Sequence, residues 1–362
     1  GGAPQGDGAR DRGPAGPRPA RSAPIPLSVP YSKELRLLQH VLDNATPGDA
    51  ASVCDAIEHF GQEVLGPHGQ WLKIAGATKA TVLTSAMLGA PGTGSILEIG
   101  CYCGYSALRM AMALPGVRIV TLEVDPAHMV IARNMVAFAG LCHQIDVWTG
   151  HSKDLLTRIP DRYGGPEKFK LRGVFMDQRG SRYDQDLAVI EGLGLLLPHA
   201  VIVCDNVLKP GSPLYLWRVI NGGAYDTEIV SMREFAMPSE DWMSVSVRRP
   251  APAGASDAAA GVTLAPAPPE LTQLEWESDR IRAQAMRSGQ GVTYQEWSAY
   301  AEQVKERFAP WGIAATVEGS SLEGEAAATL IARPPNAAPL REAVSYAPLP
   351  ERRGLGCMAV GC

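Results

Sequence analysis

The sequence predicts an α/β fold: a doubly wound, mainly parallel sheet of seven strands in a Rossmann-like arrangement, followed by a small α+β C-terminal module. Three observations carry this. Short apolar runs rich in Val, Ile and Leu alternate with helical patterns of apolar residues. The first run, Ser95-Ile96-Leu97-Glu98-Ile99, passes through a glycine turn directly into a helical pattern. Three later runs stop at acidic residues, Glu123, Asp177 and Asp205, as buried strands do when their ends share one polar edge of a parallel sheet.

Composition sets the outline. A chain of 362 residues can hold one large domain and a small one. Both its 38 Gly and its 29 Pro are high counts, and most of the Pro sit in the first thirty residues and the terminal third, where they mark a leader and a linker rather than core. The expected division is a disordered leader over 1–30, a main domain over 31–250, an Ala/Pro linker over 251–269 and an accessory module over 270–362. A net charge of -5 gives no electrostatic reason to expect nucleic acid or an acidic membrane surface. No apolar run is long enough to span a bilayer, and the seven cysteines form no metal or disulfide framework. Free thiols suit a reducing compartment, so a cytoplasmic location is expected. The chain does not begin with Met, which fits a fragment or a processed product.

Taken in order, residue 32 opens a helical pattern with Leu35, Leu37, Leu38, Val41 and Leu42 on one side. A second helix after Pro47-Gly48 carries Val53, Ile57 and Phe60. These read as lid helices ahead of the first strand, and 78–88 is the helix that leads into it. After the strand at 95–99, Gly100 and Gly104 let a bulky ligand approach the backbone, and Ser106 caps or anchors near the start of the next helix. Gly-Cys-Tyr-Cys-Gly lacks the middle glycine of the dinucleotide fingerprint, which argues against NAD. The turn suits the amino-acid end of S-adenosylmethionine, although glycine also ends strands for steric reasons alone. The strand at 117–123 ends in Glu123 about twenty residues past the turn, where nucleotide-binding α/β folds place a carboxylate on the ribose hydroxyls.

A helix over 127–139 and a strand over 145–149 follow, and the strand ends in Gly150-His151-Ser152-Lys153-Asp154. His151 reads as a helix cap or a solvent-facing residue. Strands at 171–176 and 200–204 end at Asp177 and at Asp205-Asn206. In a parallel sheet those ends meet at one edge, so two carboxylates and an amide oxygen converge as a hard-oxygen set suited to Mg²⁺. Residues 225–232 and 242–248 read as the last two strands, with Glu234 in the connection between them.

The run 96–111 (ILEIGCYCGYSALRMA), the upstream Leu37-Leu38-Gln39-His40-Val41-Leu42, and Asp205-Asn206-Val207 with Pro210-Gly211 resemble the catechol O-methyltransferase family. The similarity extends from about residue 32 to 249. It implies S-adenosylmethionine- and Mg²⁺-dependent methyl transfer to a hydroxyl of a catechol or related aromatic diol. It also implies cofactor contacts at Glu98, Gly100, Tyr102, Gly104, Tyr105, Ser106, Glu123, Gly150, Ser152 and Asp177, and metal ligands at Asp177, Asp205 and Asn206. At the acceptor it implies Trp71, Asn206 and Pro210 as contacts, and Glu234 as partner of the hydroxyl that is not methylated. Trp71 reads equally as a packing aromatic, and Glu234 as a solvated loop charge.

Two positions depart from the family pattern. Its general base is a lysine three residues after the first metal aspartate, in a run like Asp-His-Trp-Lys, whereas this chain has Asp177-Gln178-Arg179-Gly180. Lys209, three residues after Asn206, is the candidate replacement base. Arg179 at an aromatic wall, with Lys73 close to Trp71, points to a more acidic acceptor of the caffeate type. The competing reading is a non-catalytic binding or assembly protein on the same fold. In the terminal third, 270–287 reads as a helix, Thr293-Tyr294-Gln295-Glu296 as a capping-box helix start, and 313–318 with 327–332 as a hairpin. This module carries no catalytic constellation and is expected to pack or to bind a protein partner.

Overall fold

The computed structural model describes residues 29–237, 239–250, 265–286 and 291–319. The expected leader, most of the linker and the second hairpin strand at 327–332 therefore lie outside the described residues. The elements run α1 (Ser32–Asn44), α2 (Ala50–His59), α3 (Thr78–Leu88), β1 (Ser95–Ile99), α4 (Tyr105–Ala113), β2 (Ile119–Glu123), α5 (Pro126–Phe138) and β3 (Ile145–Thr149). Two single-turn helices follow, α6 (Ser152–Leu155) and α7 (Ile159–Arg162), then β4 (Leu171–Met176), α8 (Tyr183–Gly192), β5 (Leu196–Cys204) and α9 (Pro213–Asn221). The chain continues through β6 (Tyr225–Arg233), β7 (Glu240–Arg248), α10 (Pro269–Ala285), α11 (Tyr294–Phe308) and the short β8 (Val317–Glu318).

The strands form one sheet in the order β3-β2-β1-β4-β5-β7-β6-β8. β1 to β5 are parallel, β7 is antiparallel to both β5 and β6, and β8 adds to β6 in parallel. The sheet is thus the expected seven strands with one more at its edge. Val317 and Glu318 lie against Val230 and Ser231, so the strand expected in a hairpin pairs with the main sheet.

Two apolar layers cover the sheet. Leu37, Val53, Ile57, Leu83, Leu108 and Met135 from α1 to α5 fill one face. Leu187 of α8, Leu216 of α9, Leu271 and Leu274 of α10 and Val304 and Phe308 of α11 fill the other. Each such fully buried side chain contributes on the order of 1.5–3 kcal/mol of transfer free energy. The appended helices therefore share the core of the sheet. Among the described residues, no helix is long and apolar enough to cross a membrane.

Register positions the functional edge. Ile99 lies opposite both Leu122 and Met176, and Met176 lies opposite Cys204. The residues that come next, Gly100, Asp177 and Asp205, therefore leave the sheet at one level beside Glu123, the last residue of β2. Gly100 has φ 101°. A Cβ there would sit 2.5 Å from the backbone oxygen of Asp177. Both the conformation and the close approach require glycine. Gly100→Ala is expected to destabilise the protein by about 2 kcal/mol or more in urea unfolding. An unchanged midpoint would show that the two strand ends are not held this closely.

Candidate functional site

The cofactor-side turn is ordered by carboxylates. Glu98 is fully buried within β1 and accepts hydrogen bonds from the hydroxyls of Ser106 (2.5 Å) and Thr121. Burial pushes its pKa up to about 7, and the two hydroxyl donors offset only part of that rise. Glu123 accepts the backbone N–H of Tyr102 at 2.7 Å on one oxygen and that of Asp125 at 2.8 Å on the other. This fixes the carboxylate at the sheet edge and leaves lone pairs for further donors. Tyr102, at φ 50°, directs its hydroxyl to Glu34 of α1 at 2.7 Å. The Tyr105 hydroxyl is committed to Glu58 of α2, with Arg109 at 3.2 Å, so this ring packs between helices and only its backbone faces the turn. Gly150 has φ 146°, and Ser152 is buried at the first position of α6. His151 is exposed and its side chain caps nothing.

Next to this turn lies a charge cluster centred on a residue that the sequence reading missed. Lys79, in α3, is completely buried. Its ammonium lies 2.7 Å from Asp205, 2.9 Å from Glu234 and 3.1 Å from Asp241. Burial opposes its charge, but the three carboxylates outweigh that and hold its pKa well above the ordinary lysine value. The signal for it in the sequence is a single lysine between Ala and Thr residues of an otherwise apolar helix.

Asp241, the second residue of β7, also accepts the side-chain amide of Asn206 at 2.8 Å and the backbone N–H groups of Trp242 at 2.8 Å and Lys209 at 3.2 Å. Burial alone would raise its pKa. Lys79, Lys209 and the amide donors reverse this and keep it low. Asp205 is pushed up to about 7, first by burial and then by Glu234 and Asp241, with Lys79 pulling the other way.

The structure brings together the three expected metal ligands. Lys79 and the backbone N–H of Asn206 both contact Oδ1 of Asp205. Asn206, at φ 57°, commits its amide nitrogen to Asp241, which turns its oxygen away from that carboxylate. The pKa of Asp177 is raised well above the ordinary carboxylate value by burial and by the adjacent Asp205. Two neighbouring carboxylates that disfavour each other's ionisation, beside an amide oxygen, fit a divalent cation with hard-oxygen preference. Among the described residues no group of three His, Cys, Asp or Glu side chains is placed to hold a metal, so the candidate set is two carboxylates and one amide.

The acceptor side departs most from expectation. A Cβ on Gly180 would lie 2.5 Å from the backbone oxygen of Gly211 and 3.2 Å from Cβ of Ser212. The position expected to carry lysine is closed by backbone, so no side chain fits there unless the two loops move apart. The Arg179 guanidinium, expected against the acceptor, instead forks onto Asp279 of α10, with its Nε at 2.7 Å. Ser181 joins the same carboxylate at 2.9 Å. Lys209 is buried, its ammonium donating to Ser239 at 2.5 Å and lying 3.9 Å from Glu234. The carbonyl of Pro210 accepts the Tyr300 hydroxyl of α11 at 2.8 Å. Trp71 is 36% exposed, and the Lys73 ammonium lies 5.8 Å from its ring centre.

An O-methyltransferase family model matches residues 74–215 of this chain. Catechol O-methyltransferase B of Danio rerio is 39% identical over 191 residues, covering 52% of this chain and 69% of that protein. Catechol O-methyltransferase of Bos taurus is 38% identical over 191 residues, covering 52% and 67%. Among solved structures, the O-methyltransferase from Bacillus cereus in complex with SAH is 22% identical and aligns with 59% of this chain and 91% of its own, at a TM-score of 0.44.

The Lys79 cluster generates a quantitative expectation. Lys79→Met leaves three buried carboxylates without their shared cation and is expected to cost about 3–5 kcal/mol at neutral pH. Removing the cation lets the folded-state pKa of Asp205, already pushed up to about 7, and of Asp241, now held low, rise. Proton uptake then relieves the repulsion as pH falls, so the deficit should be smaller at pH 5 than at pH 8. Chemical denaturation of both proteins at the two pH values checks this. A small, pH-independent deficit would contradict the assigned role.

Proposed function

Because the chain belongs to the catechol O-methyltransferase family, we propose that it is a Mg²⁺-dependent O-methyltransferase that moves a methyl group from S-adenosylmethionine to one hydroxyl of a catechol or related aromatic diol. The observation that carries this reading is the placement of Asp177, Asp205 and Asn206 at adjoining strand ends beside the Gly100–Gly104 turn. A cofactor bound at that turn and a metal bound at those oxygens would be next to each other.

S-adenosylmethionine would supply the electrophilic methyl, and Mg²⁺ held by Asp177, Asp205 and Asn206 would supply Lewis acidity that lowers the pKa of the acceptor hydroxyl. The residues of the chain do the rest. Glu98, anchored by Ser106 and Thr121, sets the shape of the turn that takes the amino-acid end of the cofactor. Glu123, held by two backbone N–H groups, presents its remaining lone pairs to the ribose hydroxyls. Glu234 accepts a hydrogen bond from the hydroxyl that keeps its proton, with the Lys79 side chain at 2.9 Å and that of Lys209 at 3.9 Å beside it. Lys209, whose side-chain nitrogen is the next nearest to Glu234, is the base in place of the lysine excluded at Gly180; it must first release its own proton and accepts that of the reacting hydroxyl as the neutral amine. A base of this kind contributes roughly 10²–10⁴ in rate. The chemistry is therefore slower without it but is not abolished.

The alternative, a non-catalytic binding protein, draws on Gly180. Against it stands the convergence of Asp177 with Asp205 and Asn206 at one sheet edge, a donor set that suits a hard cation. Transfer of labelled methyl from S-adenosylmethionine to catechol, with and without Mg²⁺, tests the reading on the full chain. Product that depends on Mg²⁺ is expected, with a loss of at least about a hundredfold in Asp177→Asn and in Lys209→Met. Activity unaffected by chelation would remove the metal from the account, and activity untouched in Lys209→Met would remove the base.

A further inference from the structure

Helix α10 presents one face to the loops that surround the acceptor side of the site. Along that face, Glu275 accepts the backbone N–H of Leu214 at 3.4 Å, and Ser278 lies 3.0 Å from the Tyr300 hydroxyl that binds Pro210. Asp279 holds Arg179 and Ser181, and the sulfur of Met286 accepts the Lys73 ammonium at 2.9 Å. Residues 275, 278, 279 and 286 fall on successive turns of one stripe. Arg282 belongs to the same stripe, one turn beyond Asp279 and one turn before Met286. It is thereby set between the 179 loop and the 71–73 loop.

The charge balance here is unusual. Arg282 is partly buried, and its guanidinium makes no hydrogen bond or ion pair among the described residues, although Asp279 lies within electrostatic range. Its guanidinium lies within electrostatic range of Asp177 and Tyr183, and burial lowers its pKa from the ordinary value. The ammonium of Lys73 contacts a thioether and an indole but no carboxylate. Partial burial, Lys33 and Arg282 together shift its pKa down. Two cations that repel each other beside an exposed indole, with Asp177 within electrostatic range of both, suit an anion attached to an aromatic ring. The other arginine at this mouth, Arg179, is already neutralised by Asp279.

We propose that Arg282, delivered by the appended helix α10, and Lys73 bind an anionic substituent on the aromatic acceptor, so that a carboxylate-bearing catechol is preferred to neutral and amine-bearing ones. This rests on the methyltransferase reading and adds the acceptor class to it. Arg282 and Lys73 are specificity residues, not participants in proton transfer.

The test compares 3,4-dihydroxybenzoate, unsubstituted catechol and dopamine as acceptors for the full chain, with Arg282→Gln, Arg282→Lys and Lys73→Met beside it. In parallel, calorimetry measures 3,4-dihydroxybenzoate binding to protein saturated with Mg²⁺ and S-adenosylhomocysteine. The wild type is expected to show the lowest KM for the benzoate. Arg282→Gln should raise that KM and the matching Kd by roughly tenfold to a hundredfold, while leaving catechol within about twofold. Arg282→Lys should recover part of the loss, which guards against a folding defect in the glutamine variant. If all three acceptors are used without preference, or the variants shift all three alike, this inference fails and the methyltransferase reading stands. If no acceptor is methylated but Arg282-dependent binding of the benzoate persists, the receptor stands and the methyltransferase reading fails. Absence of both would overturn both.

Discussion

The buried ammonium of Lys79 is the interaction on which the site depends. Asp205 belongs to the β5 end, Glu234 to the β6–β7 connection and Asp241 to the start of β7, and each lies within 3.1 Å of one cation carried by α3. Without that cation, three negative groups would have to share a volume almost free of solvent, and the strand ends could not stay together. With it, Asp241 remains ionised and can accept four donors. These fix Asn206 and the backbone of Lys209, and through them the loop that contains Pro210. Two of the candidate metal ligands, Asp205 and Asn206, are held in place by this cluster.

A second constraint lies at Gly180, the position where a lysine was expected. Gly180 and Gly211 approach so closely that two loops meet backbone to backbone, where a longer side chain would separate them. Closing the loops leaves Arg179 on the outside, where it becomes the docking point for Asp279 of α10. The appended helices pack on the same loops and on the sheet. Tyr300 of α11 reaches the Pro210 carbonyl, and Trp242 of β7 stacks on Phe308 of α11 at 6.2 Å.

Most of the fold was legible because it follows from short-range rules. β1 to β4 and the helices between them fall where apolar runs, glycine turns and caps put them, including the Thr293–Glu296 capping box of α11. The strand-end residues Glu123, Asp177, Asp205 and Asn206 were legible because a parallel sheet delivers them to one edge by topology alone. Long-range pairing was not legible. Nothing local in the sequence marks Lys79 as the partner of residues more than a hundred positions away, or Arg179 as the partner of Asp279 in place of an acceptor. Helices α8 and α9 carry mixed patterns that did not stand out, and β8 is two residues whose pairing is decided wholly by β6. Tyr105 was expected among the cofactor contacts, and where its hydroxyl goes was not legible. It is turned into the helix layer by Glu58, a residue of α2 that only the tertiary fold brings near.

The measurement that tests the central claim most directly is a crystal structure of the full chain grown with S-adenosylhomocysteine and Mg²⁺. The account predicts the homocysteine end of the ligand in the Gly100–Gly104 turn, its ribose on Glu123, and one ion on Asp177, Asp205 and Asn206, with Lys79 still buried among its three carboxylates and α10 in place over Arg179. An ion bound elsewhere, or none at saturating Mg²⁺ while the nucleoside is bound, would contradict it.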